Sequence, residues 1–263
     1  MPKLFIFKGV CYTIYWVKYT RLLQKEAKFE VEYQCSKRFY VGYSDVDSKD
    51  RCRLSRILDL CQNVATIHSD GLGYGTKGMM DRNLAWLVTS MRVRILKYPI
   101  ADREVECRTW SRGLKGVLAQ RDYEILDIDG TPMILADSQW ALFDLGEQKL
   151  TRVTEEMQNA YGKLERGVFE GEGKKHLRDN DIVEIEKEFE IGKRDIDTNH
   201  HLNNARYFDY IIEVLPDDYE VHEFECVYKK QIKYKDRIVV SYGGGYARIK
   251  NEAGETCFLV RFN

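Results

Sequence analysis

Two stretches of alternating character, far apart in the chain, organise the whole sequence. From Phe29 to Tyr43 apolar side chains take nearly every odd position (Phe29, Val31, Tyr33, Cys35, Phe39, Val41, Tyr43). Later, Val183, Ile185, Phe189 and Ile191 alternate with Glu184, Glu186, Glu188 and Glu190. A period of two predicts a half-buried strand in each place, the second with one apolar and one acidic face. Each strand runs into an Asp-Val-Asp or Asp-Ile-Asp turn and then into a segment of helical period. Leu54, Ile57, Leu58, Cys61, Val64, Ala65 and His68 form one apolar stripe, with Gly71 as a stop. Ala205, Phe208, Ile211, Ile212 and Leu215 form the other, with Asn203 or Asn204 placed to cap it and Pro216 to end it.

The two stretches are copies. Phe39, Val41, Gly42, Asp45, Val46, Asp47 and Ser48 return as Phe189, Ile191, Gly192, Asp195, Ile196, Asp197 and Thr198, every pair 150 positions apart. Beyond the helices the repeat continues at shrinking offsets: Lys97-Tyr98 pairs with Lys233-Tyr234 at 136, and Gly130 with Gly254 at 124. Each unit therefore reads as strand, helix, then antiparallel strands able to wrap that helix, an α+β layered fold. The predicted organisation is an N-terminal extension over 1–30, a first domain over 31–160, a glycine-rich charged linker over 161–181 and a second domain over 182–263.

Composition narrows the function classes. With 41 basic and 42 acidic residues the chain has a net charge of -1, which leaves no global field for nucleic acid or an anionic membrane. Seven cysteines without a CxxC pair fit neither a disulfide framework nor a zinc ribbon and point to a reducing, cytoplasmic address. The apolar run Leu4 to Val17 is interrupted by Lys8 and falls short of the ~20 residues of a spanning helix, so no integral membrane span is expected.

Candidate chemistry concentrates in Arg194 to Tyr207, RDIDTNHHLNNARY, just ahead of the second helix. A helix start can stabilise an oxyanion, a near-neutral histidine can activate water, and an asparagine can hold water or a carbonyl. That set suits hydrolysis of an activated acyl group. The plainer reading is that Asp197 and Asn199 cap the helix while His200 and His201 are solvated. The first copy weighs against it, since Lys49, Asp50 and Arg51 stand where Asn199, His200 and His201 stand and start a similar helix without Asn or His. His68, on an apolar stripe, reads as a core histidine. No metal set is complete around His200 and His201, and Gly73 to Gly78 matches GxGxxG but follows a helix, so neither metal nor dinucleotide cofactor is expected.

The pattern D-x-N-x-H-x-N-N-x-x-Y, met by Asp197, Asn199, His201, Asn203, Asn204 and Tyr207, resembles that of the acyl-acyl carrier protein thioesterases. Trp86, Thr109-Trp110, Arg121-Asp122, Ser138 and Trp140 also fall in that family's order, so the likeness runs from about Tyr33 to Asn263. It implies two tandem hotdog domains, each an antiparallel sheet wrapped around a long helix. It also implies release of a free fatty acid from acyl carrier protein, in fatty acid synthesis, with the acyl tunnel largely in the first unit. Catalytic roles carry over to Asp197, Asn199 and His201, and substrate contacts to Asn203, Asn204 and Tyr207. The family's Glu and the plant members' Cys fall on Gln231 and Ile232, so a thiol nucleophile is excluded there and attack by water remains, with Gln231 holding that water. Whether Asp197 or His201 takes the proton stays open. Lys229, Lys233, Lys235 and Arg237, expected on one strand face, read either as solvated surface charges, the commoner case, or as a guide for the acidic carrier. Arg92 and Arg94 share another face with wet heads and no assigned role. Tandem units supply internally what single hotdog domains gain by dimerising, which leaves a homodimer open. The competing readings are a coenzyme A thioesterase or enoyl-thioester hydratase of the same superfamily, and a non-catalytic acyl sensor. A hydratase favours D-x-N-P-x-H, whereas His200 stands in the proline's place.

Overall fold

The computed structural model describes residues 33–172 and 177–263, so the N-terminal extension and the centre of the linker lie outside the described residues. The alternating pattern becomes β1 (Gln34–Val41), and the first stripe becomes α1 (Leu54–Gly71), all seven of its expected residues buried. After α2 (Thr76–Met80) come β2 (Leu84–Ile95), β3 (Arg103–Lys115), β4 (Leu118–Asp127), β5 (Pro132–Asp144), the short β6 (Lys149–Leu150) and α3 (Glu155–Tyr161). The second half repeats the scheme with β7 (Ile185–Glu190), α4 (Tyr207–Ile211), β8 (Glu223–Tyr228), β9 (Arg237–Gly243), β10 (Tyr246–Asn251) and β11 (Thr256–Phe262). The GxGxxG run is a packing device: a Cβ on Gly78 would stand 2.4 Å from the Gly73 carbonyl oxygen.

The strands form one antiparallel sheet in the order β1-β3-β4-β5-β2-β8-β11-β10-β9-β7, with β6 appended to β5. That order is a palindrome of equivalents about the β2–β8 seam, where Met91 faces Cys226 and Val93 faces Phe224. Residues 33–263 are thus one compact unit with a core cluster shared by both halves. No helix among the described residues is long and apolar enough to cross a membrane.

Five expectations need correction. The second helix is not long: α4 spans five residues, followed by a 3-10 turn over Ile212–Val214. The Asn203 to Arg206 turn consumes its start, and Pro216 holds Leu215 extended. Ala205, Phe208 and Ile211 are buried as expected, but Ile212 is exposed and Val214 takes its place in the core. The offset after the helix is 133 rather than 136. Cys52 donates to the Pro99 carbonyl as Leu202 does to that of Ile232, and Asp102 donates to Val41 as Lys235 does to Ile191. The lysines after β8 stand on a loop, because Ile232 turns inward, Asp236 accepts from the Lys233 amide, and Lys235 has φ +69°. Nor is the linker a loose surface crossing. Leu164 bonds to Ser111, Trp110 Nε1 to the Arg166 carbonyl and Val168 to Asp122, while Phe169 is buried beneath the guanidinium groups of Arg92 and Arg94. Those two arginines are not wet-headed either, since both engage Glu172 and Glu223.

Candidate active site

The Asp197 to His201 loop is a closed turn held by its own first residue. Asp197 Oδ1 accepts the amides of Asn199 at 2.8 Å and His201 at 3.2 Å, Asp197 N donates to the His201 carbonyl, and Ile196 bridges to Leu202. His200 takes φ +64° to close it. The first copy builds the same turn: Asp47 Oδ1 accepts from Lys49 and Arg51, Val46 bridges Cys52, and Asp50 has φ +58°. The scaffold is therefore common and the chemistry is not. In the first copy Arg51 returns Nε and Nη2 to Asp47 Oδ2, at 3.1 and 2.9 Å. In the second no guanidinium stands at position 201, and no donor among the described residues engages Asp197 Oδ2.

Burial holds the His201 imidazole below the ordinary histidine range; Asp197 opposes this, and the charges of Lys233 and His200 add to it. At neutral pH the ring is uncharged and keeps a lone pair able to accept a proton. The Leu202 amide donates to the Ile232 carbonyl at 2.8 Å, which lays the exposed Gln231 beside this loop.

A cavity of about 170 Å³ opens next to the turn, between α1 and the sheet of the first half. Among the described residues, Asp197, Asn199 and Asn204 reach it from the second half; its other walls include Gln62, Met79, Trp86, Arg121 and Tyr161. His201, Asn203, Tyr207 and Gln231 do not line it. Asn203 Oδ1 accepts the Ala205 amide and shapes the turn before α4. Tyr207 is buried, with Tyr228 and Phe258 at 5.2 and 5.0 Å between ring centroids. The oxyanion role expected of the helix start has no support in the geometry, because α4 begins six residues after His201 with Arg206 as its N-cap. Among the described residues no cluster of ligating side chains suits a metal ion.

Sequence reasoning missed the polar lining supplied by Gln62, Ser69 and Arg121. The signal was present in Gln120-Arg121-Asp122, a polar run inside an otherwise apolar strand segment.

The description "Acyl-ACP thioesterase N-terminal domain" matches residues 32–161, and "Acyl-ACP thioesterase C-terminal domain" matches residues 179–260. The chain belongs to the acyl-ACP thioesterase family. It is 25% identical over 219 residues to oleoyl-acyl carrier protein thioesterase 1 of Arabidopsis thaliana, covering 76% of this chain and 60% of that protein. The chain thus spans less than two thirds of the plant relatives it matches. A palmitoyl-acyl carrier protein thioesterase of Cuphea hookeriana is 29% identical over 161 residues, covering 58% of this chain and 38% of that one. Among solved structures, the 12:0-ACP thioesterase of Umbellularia californica superposes with a TM-score of 0.77 at 20% identity, over 88% of this chain and 96% of that one. A putative oleoyl thioesterase of Lactobacillus plantarum does so with 0.75 at 22%, over 87% and 94%. These likenesses show the tandem hotdog fold, here with its second helix shortened.

Proposed function

We propose that the chain hydrolyses the thioester of fatty acyl-acyl carrier protein and releases a free fatty acid, in the cytoplasm and without a cofactor. The observation that carries this reading is the meeting of Asp197, Asn199 and Asn204, from the second half, with a cavity whose other described lining residues belong to the first. The acyl chain occupies the cavity and the thioester carbonyl lies at the asparagines, whose amide N–H groups donate to its oxygen as charge develops. Asp197 uses Oδ1 for the turn and Oδ2 for the attacking water. His201 and Gln231 lie outside the cavity wall, so the water they serve stands at its edge on the turn: the neutral imidazole takes its proton and returns it to the departing thiolate, while Gln231 hydrogen-bonds to it. The phosphopantetheine arm brings the acyl chain to the cavity, and the exposed Lys229, Lys233, Lys235 and Arg237 attract the acidic carrier.

His201→Ala is expected to lower turnover of a carrier-bound acyl chain by roughly 10² to 10⁴, the usual share of a general acid or base, with acyl binding retained. Product acids identified by mass after single-turnover reactions check both. Turnover equal to wild type would remove His201 from the mechanism.

A further inference from the structure

Around Arg121 the cavity wall is not the hydrocarbon lining that an unsubstituted fatty chain calls for. Arg121 on β4 is one of its walls and is only 7% exposed. Its side-chain partners are an imidazole and a hydroxyl. Nη1 donates to His68 Nδ1 at 2.9 Å and Thr109 Oγ1 at 3.2 Å, and no carboxylate among the described residues pairs with it. The guanidinium also stands 5.7 Å from the centroid of the Tyr161 ring, whose hydroxyl donates to Ser69 at 3.0 Å. Trp86 meets the same ring edge-on at 6.3 Å, and its Nε1 is a buried donor with no acceptor among the described residues. Arginine and tryptophan donate only, so this part of the cavity wall has donors in excess. A buried charge is costly unless a strong acceptor meets it.

Depth follows from α1. Gln62 and Asn204 both line this cavity and a second, small one, and His68, which touches Arg121, lies six residues further along the helix than Gln62, about 9 Å at 1.5 Å per residue. An extended chain advances about 1.2 Å per bond, so Arg121 meets a group roughly eight bonds in from the reacting carbonyl.

We propose that Arg121 is the centre of an oxygen subsite, which takes a medium-length acyl chain bearing a hydrogen-bond acceptor, a hydroxyl or a carboxylate, at its far end. The inference rests on the thioesterase reading for the chain's orientation. In such a complex the free donors of Arg121 meet an oxygen, whereas an unsubstituted chain of the same length strips water from them and returns nothing.

The test uses non-hydrolysable S-alkyl pantetheines, so that binding is read apart from catalysis. S-decyl, S-(ω-hydroxydecyl) and S-(ω-carboxynonyl) pantetheine are titrated calorimetrically into the full chain and into Arg121→Met, which keeps the length and removes the donors. The expected result is tighter binding of one or both oxygenated ligands to the wild type, by roughly tenfold or more, and loss of that preference in the variant. The hydroxyl and carboxylate arms distinguish a neutral from an anionic end group. Equal or weaker binding of both oxygenated ligands overturns the proposal, and so does a preference that survives in Arg121→Met. Should that variant fail to fold, Arg121→Lys keeps the charge but loses the planar fork, and is expected to weaken the preference. Hydrolysis of decanoyl and ω-hydroxydecanoyl carrier protein is measured in parallel. Turnover without preference sinks the subsite alone, while preference in binding without turnover sinks the thioesterase reading alone.

Discussion

At position 201 an imidazole stands where the first copy has the guanidinium of Arg51. Arg51 in the first copy neutralises its aspartate, and the Asp47 carboxyl lies below the usual carboxylate range: burial works against this, and the hydrogen bonds and charge of Arg51 outweigh it. His201 in the second copy makes no such claim on Asp197, and its own proton affinity is lowered by burial first, then by Lys233 and His200 against the pull of Asp197. The sign of the pH dependence follows. A base with a lowered pKa stays neutral into mild acid, so the acid limb of kcat is expected below the ordinary histidine value of about 6.5. Gln231→Glu places a negative charge beside the loop, favours the imidazolium, and moves that limb to higher pH. A profile of kcat against pH for both proteins, at saturating substrate, reads the shift. An unmoved or acid-shifted limb would mean that a group other than His201 sets it.

At the scale of the element, one turn has been built twice and used differently, and the two uses separate in experiment. Arg51 ties its loop down through Asp47 and lies over the Tyr98 ring at 5.2 Å. Arg51→Ala is therefore expected to cost about 1–3 kcal/mol of stability, the scale of a hydrogen-bonded charged partner lost from a part-buried site, while single-turnover hydrolysis stays near wild type. Chemical denaturation with a parallel single-turnover assay checks both halves of that statement, and a collapse of the chemical step would contradict a single reactive copy. Much of this was legible in the chain. The constant offset of 150 fixed both strands and both turns, because a period of two and an Asp-x-Asp turn are local features. The length of α4 was not legible, since its apolar spacing suits a longer helix and only the Asn203 turn and Pro216, acting from the two ends, confine it. Nor was the course of the linker, whose anchors on Ser111, Trp110 and Asp122 lie some fifty residues away in sequence. Of the site, the sequence gives the turn but not the cavity, because Arg121 and Gln62 meet only when β4 and α1 pack.

Across the whole molecule, the palindromic strand order keeps the strands of each half contiguous and joins the two runs at the β2–β8 pairing. Separating them would leave β2 and β8 as unpaired edges and cut a core cluster that runs through both. Phe224 sits at that seam, fully buried, 4.6 Å from the Phe208 ring and opposite Val93 of the first half. Every tryptophan of the chain lies in the first half or ahead of it, at positions 16, 86, 110 and 140, so tryptophan fluorescence reports chiefly on the first half. Phe224→Ala should cost about 3–5 kcal/mol through the cavity it leaves. If the shared sheet makes the two copies one cooperative unit, the tryptophan-detected midpoint falls by as much as the midpoint detected by far-ultraviolet circular dichroism. Two midpoints, with tryptophan unfolding left at its wild-type position, would show the halves to be separable domains and would break the structural link by which Asp197 and Asn199 of one copy are held against the cavity of the other.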